Sequence, residues 1–316
     1  MLRRRALAYF ALLTAVFIWG LNFVVVKEGI SAWKTQEFAF LAARFWLAVL
    51  VFGLVLVATH RSLRKAFRLD FPTILRASLV GAVLAAGYGF QTWYLAKGSA
   101  MSAAFLSSTT VLWAPFLAIA IRQRVYPATI FGAMIAMTGI VLMEWQNLSW
   151  RPDLWHAFAI IAAIAFAIEL LLVSRFAPKD ATIQWTTVSC IVVALIMTIL
   201  SIFTENWSSS QGEITVRVSA VIFTGIVATA VALGLQNWAQ AQEIKNVKII
   251  DGPRAAIISS LEPVFTTLVV GALILMKLQT ADPNDKVLPT IGCFFILVGT
   301  FVSELAAAKR NQQQRA

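Results

Sequence analysis

Apolar residues in this chain come in long continuous stretches, without the one-sided periodicity of helices that lie on a soluble core. A helix needs about 20 mostly apolar residues to cross a bilayer. Runs of that kind occur at Leu7–Val26, Phe38–Ala58, Pro72–Leu95, Ser99–Ile121 and Ala128–Trp145. Five more follow at Leu154–Ser174, Thr182–Phe203, Val216–Gln240, Ala255–Met276 and Leu288–Ala307. The fifth is the shortest. The pattern predicts an all-α polytopic membrane protein of ten transmembrane helices. Arg3-Arg4-Arg5 ahead of an apolar stretch has the look of a signal peptide, but the stretch runs through Trp19 and Asn22 to Val26 with no small-x-small cleavage site. It is expected to stay as the first helix.

Composition strengthens this picture. Of 316 residues, 59% are apolar and 13% charged, against about 45–50% and about 25% in soluble domains. One soluble core has too little interior for so many apolar side chains, which excludes a water-soluble enzyme as well as disordered and collagen-like chains. Cys190 and Cys293 sit inside apolar runs and suggest neither a disulfide framework nor a metal site, and His60 and His156 lie far apart. No metal centre is expected. No linker could house a soluble domain, and no GxxxxGK[ST] is present for ATP, so no cofactor is expected.

A net charge of +11 could point to nucleic acid, but the basic residues are scattered between runs and read as topology signals. Seventeen Lys and Arg fall on the side of the amino terminus: Arg3, Arg4 and Arg5, the loop from Arg61 to Arg68, Arg122 and Arg124, Arg175 and Lys179, Lys245, Lys248 and Arg254, and the carboxyl-terminal tail. Seven fall on the other side, and Arg44 and Arg76 lie within runs. The asymmetry places both termini in the cytoplasm, with a cell inner membrane as the expected location. Trp33, Trp145, Trp150, Trp155 and Trp207 near run ends are adequately explained as interfacial anchors.

The two halves resemble each other. Trp19-Gly20-Leu21-Asn22 matches Phe166-Ala167-Ile168-Glu169 at an offset of 147, and Gln91-x-Trp93-x-x-Ala96 matches Gln236-x-Trp238-x-x-Ala241 at 145. Pro115-Phe116 aligns with Pro263-Val264, and Gly132 and Gly139 reappear as Gly292 and Gly299. Residues 1–146 and 147–316 therefore form two repeats. Five runs is an odd number, so the second repeat enters the membrane from the opposite face. Such inverted repeats allow one half to rock against the other around a midplane site.

Trp19-Gly20-x-Asn22-Phe23 with Lys27, Arg44-Phe45, and Ser259-Ser260-Leu261-Glu262-Pro263-Val264-Phe265 resemble signatures of the EamA-type members of the drug/metabolite transporter superfamily. The resemblance covers nearly the whole chain, and Leu-Glu-Pro-Val-Phe is its most specific part. It implies a ten-helix transporter that exports metabolites, amino acids or drugs. The positions after the fourth and ninth runs where the family usually carries Glu hold Gln123 and Lys277, which separates this chain from the family's loop pattern more than from its cavity.

Ionisable groups deep in a span mark functional sites by default. None of the six Asp lies mid-run, and mid-run Glu is limited to Glu169 and Glu262. Each is a candidate counter-ion for a substrate amine or a proton carrier; the structural alternative is a charge satisfied by a neighbouring helix, such as one paired with Arg44, which could itself draw an anionic group or hold Glu169 or Glu262 in place. Lys27 is expected to snorkel to the interface. Pro115 and Pro263 remove amide donors and free the carbonyls of Val111 and Ser259, with hydroxyls at Thr109, Thr110, Ser259 and Ser260 near enough in sequence to compensate. Paired broken helices in the two halves point to a transport site, and a packing kink is the plain alternative. Tyr88, Gln91, Trp93 and Tyr94 of the third run should meet Gln236, Asn237, Trp238 and Gln240 of the eighth. Amides in lipid need protein or water, and aromatic faces suit an amphipathic solute or an ammonium group.

The expected cavity is thus lined by Trp19, Asn22, Tyr88, Gln91, Trp113, Glu169, Gln236, Trp238 and Glu262. The expected function is a secondary transporter that exports small amphipathic metabolites, amino acids or related compounds, by alternating access, with protons as a candidate coupling ion. A multidrug exporter of hydrophobic cations is the alternative. A membrane enzyme is disfavoured by the lack of mid-run Asp, paired His or a nucleophile–base motif, and a receptor or scaffold has no evident need of inverted halves.

Overall fold

Continuous apolar runs with few breakers form helices, because in lipid only a helix satisfies every backbone donor within its own segment. The structure, a computed structural model, describes residues 2–33, 36–59, 69–97, 100–123, 125–145, 154–206, 213–244, 247–275 and 287–313. The first repeat contributes α1 (Leu2–Trp33), α2 (Glu37–Thr59), α3 (Phe71–Lys97), α4 (Ala100–Ser108), α5 (Thr110–Ala120) and α6 (Pro127–Glu144). The second contributes α7 (Leu154–Phe176), α8 (Thr182–Thr204), α9 (Ile214–Ile222), a π-helical segment (Phe223–Val231) and α10 (Ala232–Ala241). A two-residue hairpin, Glu243–Ile244 with Val247–Lys248, leads to α11 (Gly252–Ser259), α12 (Glu262–Leu275) and α13 (Val287–Gln313).

Seven of the described helical stretches are long and apolar enough to cross a membrane, and Pro127–Met143 and Thr290–Leu305 are shorter apolar helices. Large apolar side chains such as Phe10, Leu54, Phe131, Phe203 and Phe294 are exposed around the outside, where acyl chains would cover them. The protein is a multi-pass membrane protein. Much of the expected charge asymmetry rests on residues outside the described ones: Lys34, Arg61, Arg64, Lys65, Arg68, Arg124, Arg151, Lys245, Lys277, Lys286 and Arg315; His60, Trp150 and Trp207 lie outside them as well.

The packing obeys the two-fold exchange that the repeat implies. α3 packs on α7 and α8; in mirror image, α9, the π segment and α10 pack on α1 and α2. α5 packs on α7 as α12 packs on α1. The self-equivalent pairs are α2 with α8 and α6 with α13. Both run antiparallel. In the first, Glu205 lies at Phe38 and Ala39 while Thr198 accepts from Trp46 Nε1 (3.1 Å). In the second, Gly132 faces Gly299 and Gly139 faces Gly292, so closely that a Cβ built on Gly139 would stand 2.5 Å from the Gly292 carbonyl oxygen. The repeated glycines let two helices of one chain touch backbone to backbone.

Both expected breaks occur, but the prolines do not sit at them. The first falls at Thr109, six residues before Pro115, which lies inside α5. There the hydroxyls of Ser108, Thr109 and Thr110 donate to the carbonyls of Ala104, Leu106 and Ser107. The second falls at Ser260 and Leu261, where Ser260 Oγ donates to Ile257 O (2.6 Å). Pro263 follows in the first turn of α12, where a missing N–H costs nothing. Ser259, expected to help, has no partner on its hydroxyl.

Candidate functional site

Between the two halves lies a small cavity of about 70 Å³. α1 supplies Trp19, Asn22 and Phe23, and α3 supplies Leu84, Tyr88 and Gln91. The first break adds Ser107, Ser108 and Thr110; the second adds Ser259 and Glu262. α7 brings Phe166, Glu169 and Leu170, and α10 brings Leu233 and Gln236. Helix breaks thus present serine and threonine to the same space as the two acids.

The wall residues are held from behind. Trp19 Nε1 donates to the carbonyl of Ala228 (2.9 Å), in the π segment, whose wider turn also lets Thr229 Oγ1 bond the carbonyl of Thr224 (2.8 Å). Tyr88 is wedged between Phe45 and Phe166, both with ring centroids 5.2 Å away at steep angles. Gln91 Nε2 donates to Ser107 Oγ (2.7 Å). Gln236 Nε2 donates to Glu169 Oε1 (3.0 Å), and Glu169 is only 2% exposed. Thr110 Oγ1 reaches the Ala163 carbonyl on α7 and Thr266 Oγ1 reaches the Gly20 carbonyl on α1, both at 3.0 Å. Each of these two bonds ties a broken helix to the other half.

Seven of the nine expected wall residues therefore meet in one cavity. Trp113 and Trp238 do not: each is half-buried and packs into the apolar core beside it, because its position on the helix turns it away from the opening. Phe23, Phe166, Ser107, Ser108 and the three leucines were not foreseen as wall residues, and only the Ser107-Ser108-Thr109-Thr110 run carried a visible signal. Trp93 joins Phe38, Phe90 and Phe158 in an aromatic group away from the wall. Asn237 Nδ2 donates to Thr186 (3.0 Å).

Arg44 is held by a hydroxyl and two aromatic rings. The guanidinium, 1% exposed, gives Nε–H to Thr229 Oγ1 (2.6 Å) and stands over the rings of Tyr88 (4.9 Å) and Phe45 (5.5 Å). Neither Glu169 nor Glu262 is its partner. Aromatic faces and a hydroxyl replace the carboxylate. Lys27 Nζ donates to the Leu95 carbonyl (2.8 Å).

A partly buried ion pair among the described residues lies elsewhere. Arg254 Nε donates to Glu304 Oε1 (3.0 Å), and its Nη2 contacts both Glu304 Oε2 and the Tyr9 hydroxyl. Tyr9 in turn donates to Glu304 (2.6 Å). Arg254, counted among loop charges in the sequence, is instead a buried tie between α1 and the α11–α13 group. At the other end of α1, the Glu205 carboxylate accepts the backbone N–H groups of Phe38 (2.5 Å) and Ala39 (3.0 Å) and so caps α2 from the opposite half.

A profile of the EamA-like transporter family matches residues 6–145 and 153–303. An uncharacterized transporter of Archaeoglobus fulgidus is 26% identical over 174 residues, which is 55% of this chain; the chain spans about half, 51%, of that relative. A solved structure superposes on 96% of this chain and 99% of its own, with a TM-score of 0.72 and 19% identity. That likeness concerns the fold alone.

Proposed function

The chain belongs to the EamA-like transporter family, and on that premise we propose that it exports small amphipathic metabolites, amino acids or related compounds, by alternating access. Ten helices cross the membrane as repeats 1–146 and 147–316, inserted in opposite senses with both termini in the cytoplasm of a cell bounded by an inner membrane. The single observation that carries this reading is the cavity between the halves that holds both mid-membrane acids, Glu169 and Glu262.

The antiparallel pairs α2–α8 and α6–α13 support the inverted arrangement. Ties between the halves at opposite ends of α1, Tyr9–Arg254–Glu304 at one and Glu205 on α2 at the other, support alternation: opening either side requires breaking one tie and leaving the other. Such closures exclude water from one face while solute is admitted from the other.

Protons are the proposed coupling ion, carried by Glu169 or Glu262. Purified protein in liposomes with an imposed pH gradient tests this. Gradient-driven uptake of a mixed set of labelled amino acids and amines should fall at least tenfold in Glu169→Gln or Glu262→Gln, with melting temperature held within a few degrees. Flux indifferent to the gradient and to both substitutions defeats proton coupling. The absence of any flux above empty liposomes defeats transport of this class.

A further inference from the structure

The cavity's hydrogen-bonding valences are unequally spent. The indole and both glutamine amides of the wall are turned to the protein: Trp19 Nε1 donates to Ala228 O, Gln91 Nε2 to Ser107 Oγ, and Gln236 Nε2 to Glu169 Oε1, while the Ser259 hydroxyl is left without a partner. The hydroxyls of Ser108 and Thr110 donate to the carbonyls of Ala104 and Ser107. Its acceptors are open. Asn22 Oδ1 is buried without a partner, and the Glu262 side chain, on the wall, makes none of the described side-chain hydrogen bonds. Glu169 accepts a single described bond, at Oε1.

Among the described residues no Lys, Arg or His lines the cavity. Arg44 has an unpartnered Nη2, but it is not on the wall; it stands against Tyr88 and gives its Nε–H to Thr229. A wall with two carboxylates, spare carbonyl-type acceptors and aromatic faces is complementary to a group that brings positive charge and several N–H donors together. A carboxylate placed there would meet Glu169 and Glu262 with no cationic side chain among the described wall residues to offset them, and a buried charge left unpaired is costly.

We propose that this cavity selects the N–H donors of a protonated primary or secondary amine, so that its substrates are small amphipathic amines related to amino acids but without the carboxylate. The ammonium bridges Glu262, Asn22 Oδ1 and Glu169, and the apolar body lies against Trp19, Phe23 and Phe166. A quaternary ammonium meets the charge and the rings but brings no N–H, and leaves Asn22 Oδ1 and the carboxylates unpaired. This inference rests on the cavity being the transport site, and it is narrower than that reading.

Four probes that share a phenyl ring separate the contributions: phenethylamine, its N,N,N-trimethyl derivative, L-phenylalanine and 3-phenylpropionate. Binding is followed by the ligand-induced rise in melting temperature of the purified protein. Phenethylamine should bind at least tenfold more tightly than each of the other three, and its Kd should rise at least tenfold in Glu262→Gln. The ranking on the unaltered protein decides the question even where that variant fails to fold. Equal or tighter binding of L-phenylalanine overturns the proposal and hands the carboxylate to Arg44; equal binding of the trimethyl compound overturns the need for N–H donors; no binding by any of the four overturns it as well. Phenethylamine that binds in this order yet does not cross in liposomes leaves the recognition intact and defeats the transport reading instead.

Discussion

Two helix pairs related by the same pseudo-symmetry behave in opposite ways. α6 and α13 meet through Gly132, Gly139, Gly292 and Gly299, backbone against backbone, with no space for a methyl group. The broken helices α4–α5 and α11–α12 meet across hydroxyls and leave a cavity. Both pairs answer the same problem, two equivalent helices crossing on a common axis in lipid. Where side chains are removed, dispersion contacts between backbones close the seam. Where the helix is interrupted, the hydroxyls of Ser108, Thr109, Thr110 and Ser260 take up backbone carbonyls beside the cavity. One seam is closed tight and the other leaves a cavity.

The contrast can be broken most severely at the glycine seam. Gly139→Leu should force α6 and α13 apart, an overpacking penalty of about 1–3 kcal/mol or more, and the yield of monodisperse protein after solubilisation should collapse. Gly53→Leu, on α2 with nothing within 4 Å of a built Cβ, should leave yield unchanged. The broken seam should respond less. Thr110→Val and Thr266→Val each remove a tie to the other half, worth about 1 kcal/mol. Each should lower the melting temperature by a few degrees, and an unchanged melting temperature would deny that the bond helps hold the halves together. Smallest of all, Trp113→Phe and Trp238→Phe touch helices of the cavity but not its wall, so liposome flux should change less than twofold.

The halves also differ in a way no repeat could announce. α3 is helical without interruption, whereas its equivalent in the second half contains nine π-helical residues, Phe223–Val231. Trp19 and Arg44 both dock on that segment, so the first half reads the irregularity of the second. Arg44 shows the limit of reasoning from charge alone. A buried arginine predicts a partner, and a carboxylate is the natural choice; here Thr229 and the ring of Tyr88 supply it. Glu304 pairs instead with Arg254 and Tyr9, and Arg254 and Glu304 lie 245 and 295 residues from Tyr9. Side chains that far apart share no local signal.

Burial in lipid is a property of each segment taken alone, because the transfer free energy of 20 apolar residues does not depend on their neighbours. The sequence therefore determined by itself that the chain lives in a membrane, where its helical runs lie, and that its halves repeat. The mid-run acids were legible for the same reason, since an isolated charge in an apolar run is costly wherever the run packs. Tertiary structure alone decided which faces point at the cavity, which donors remain unspent and which charges meet. Those outcomes depend on the rotation of each helix about its axis and on its contacts with segments hundreds of residues away, and a turn of a helix moves a tryptophan from wall to core without altering its hydropathy.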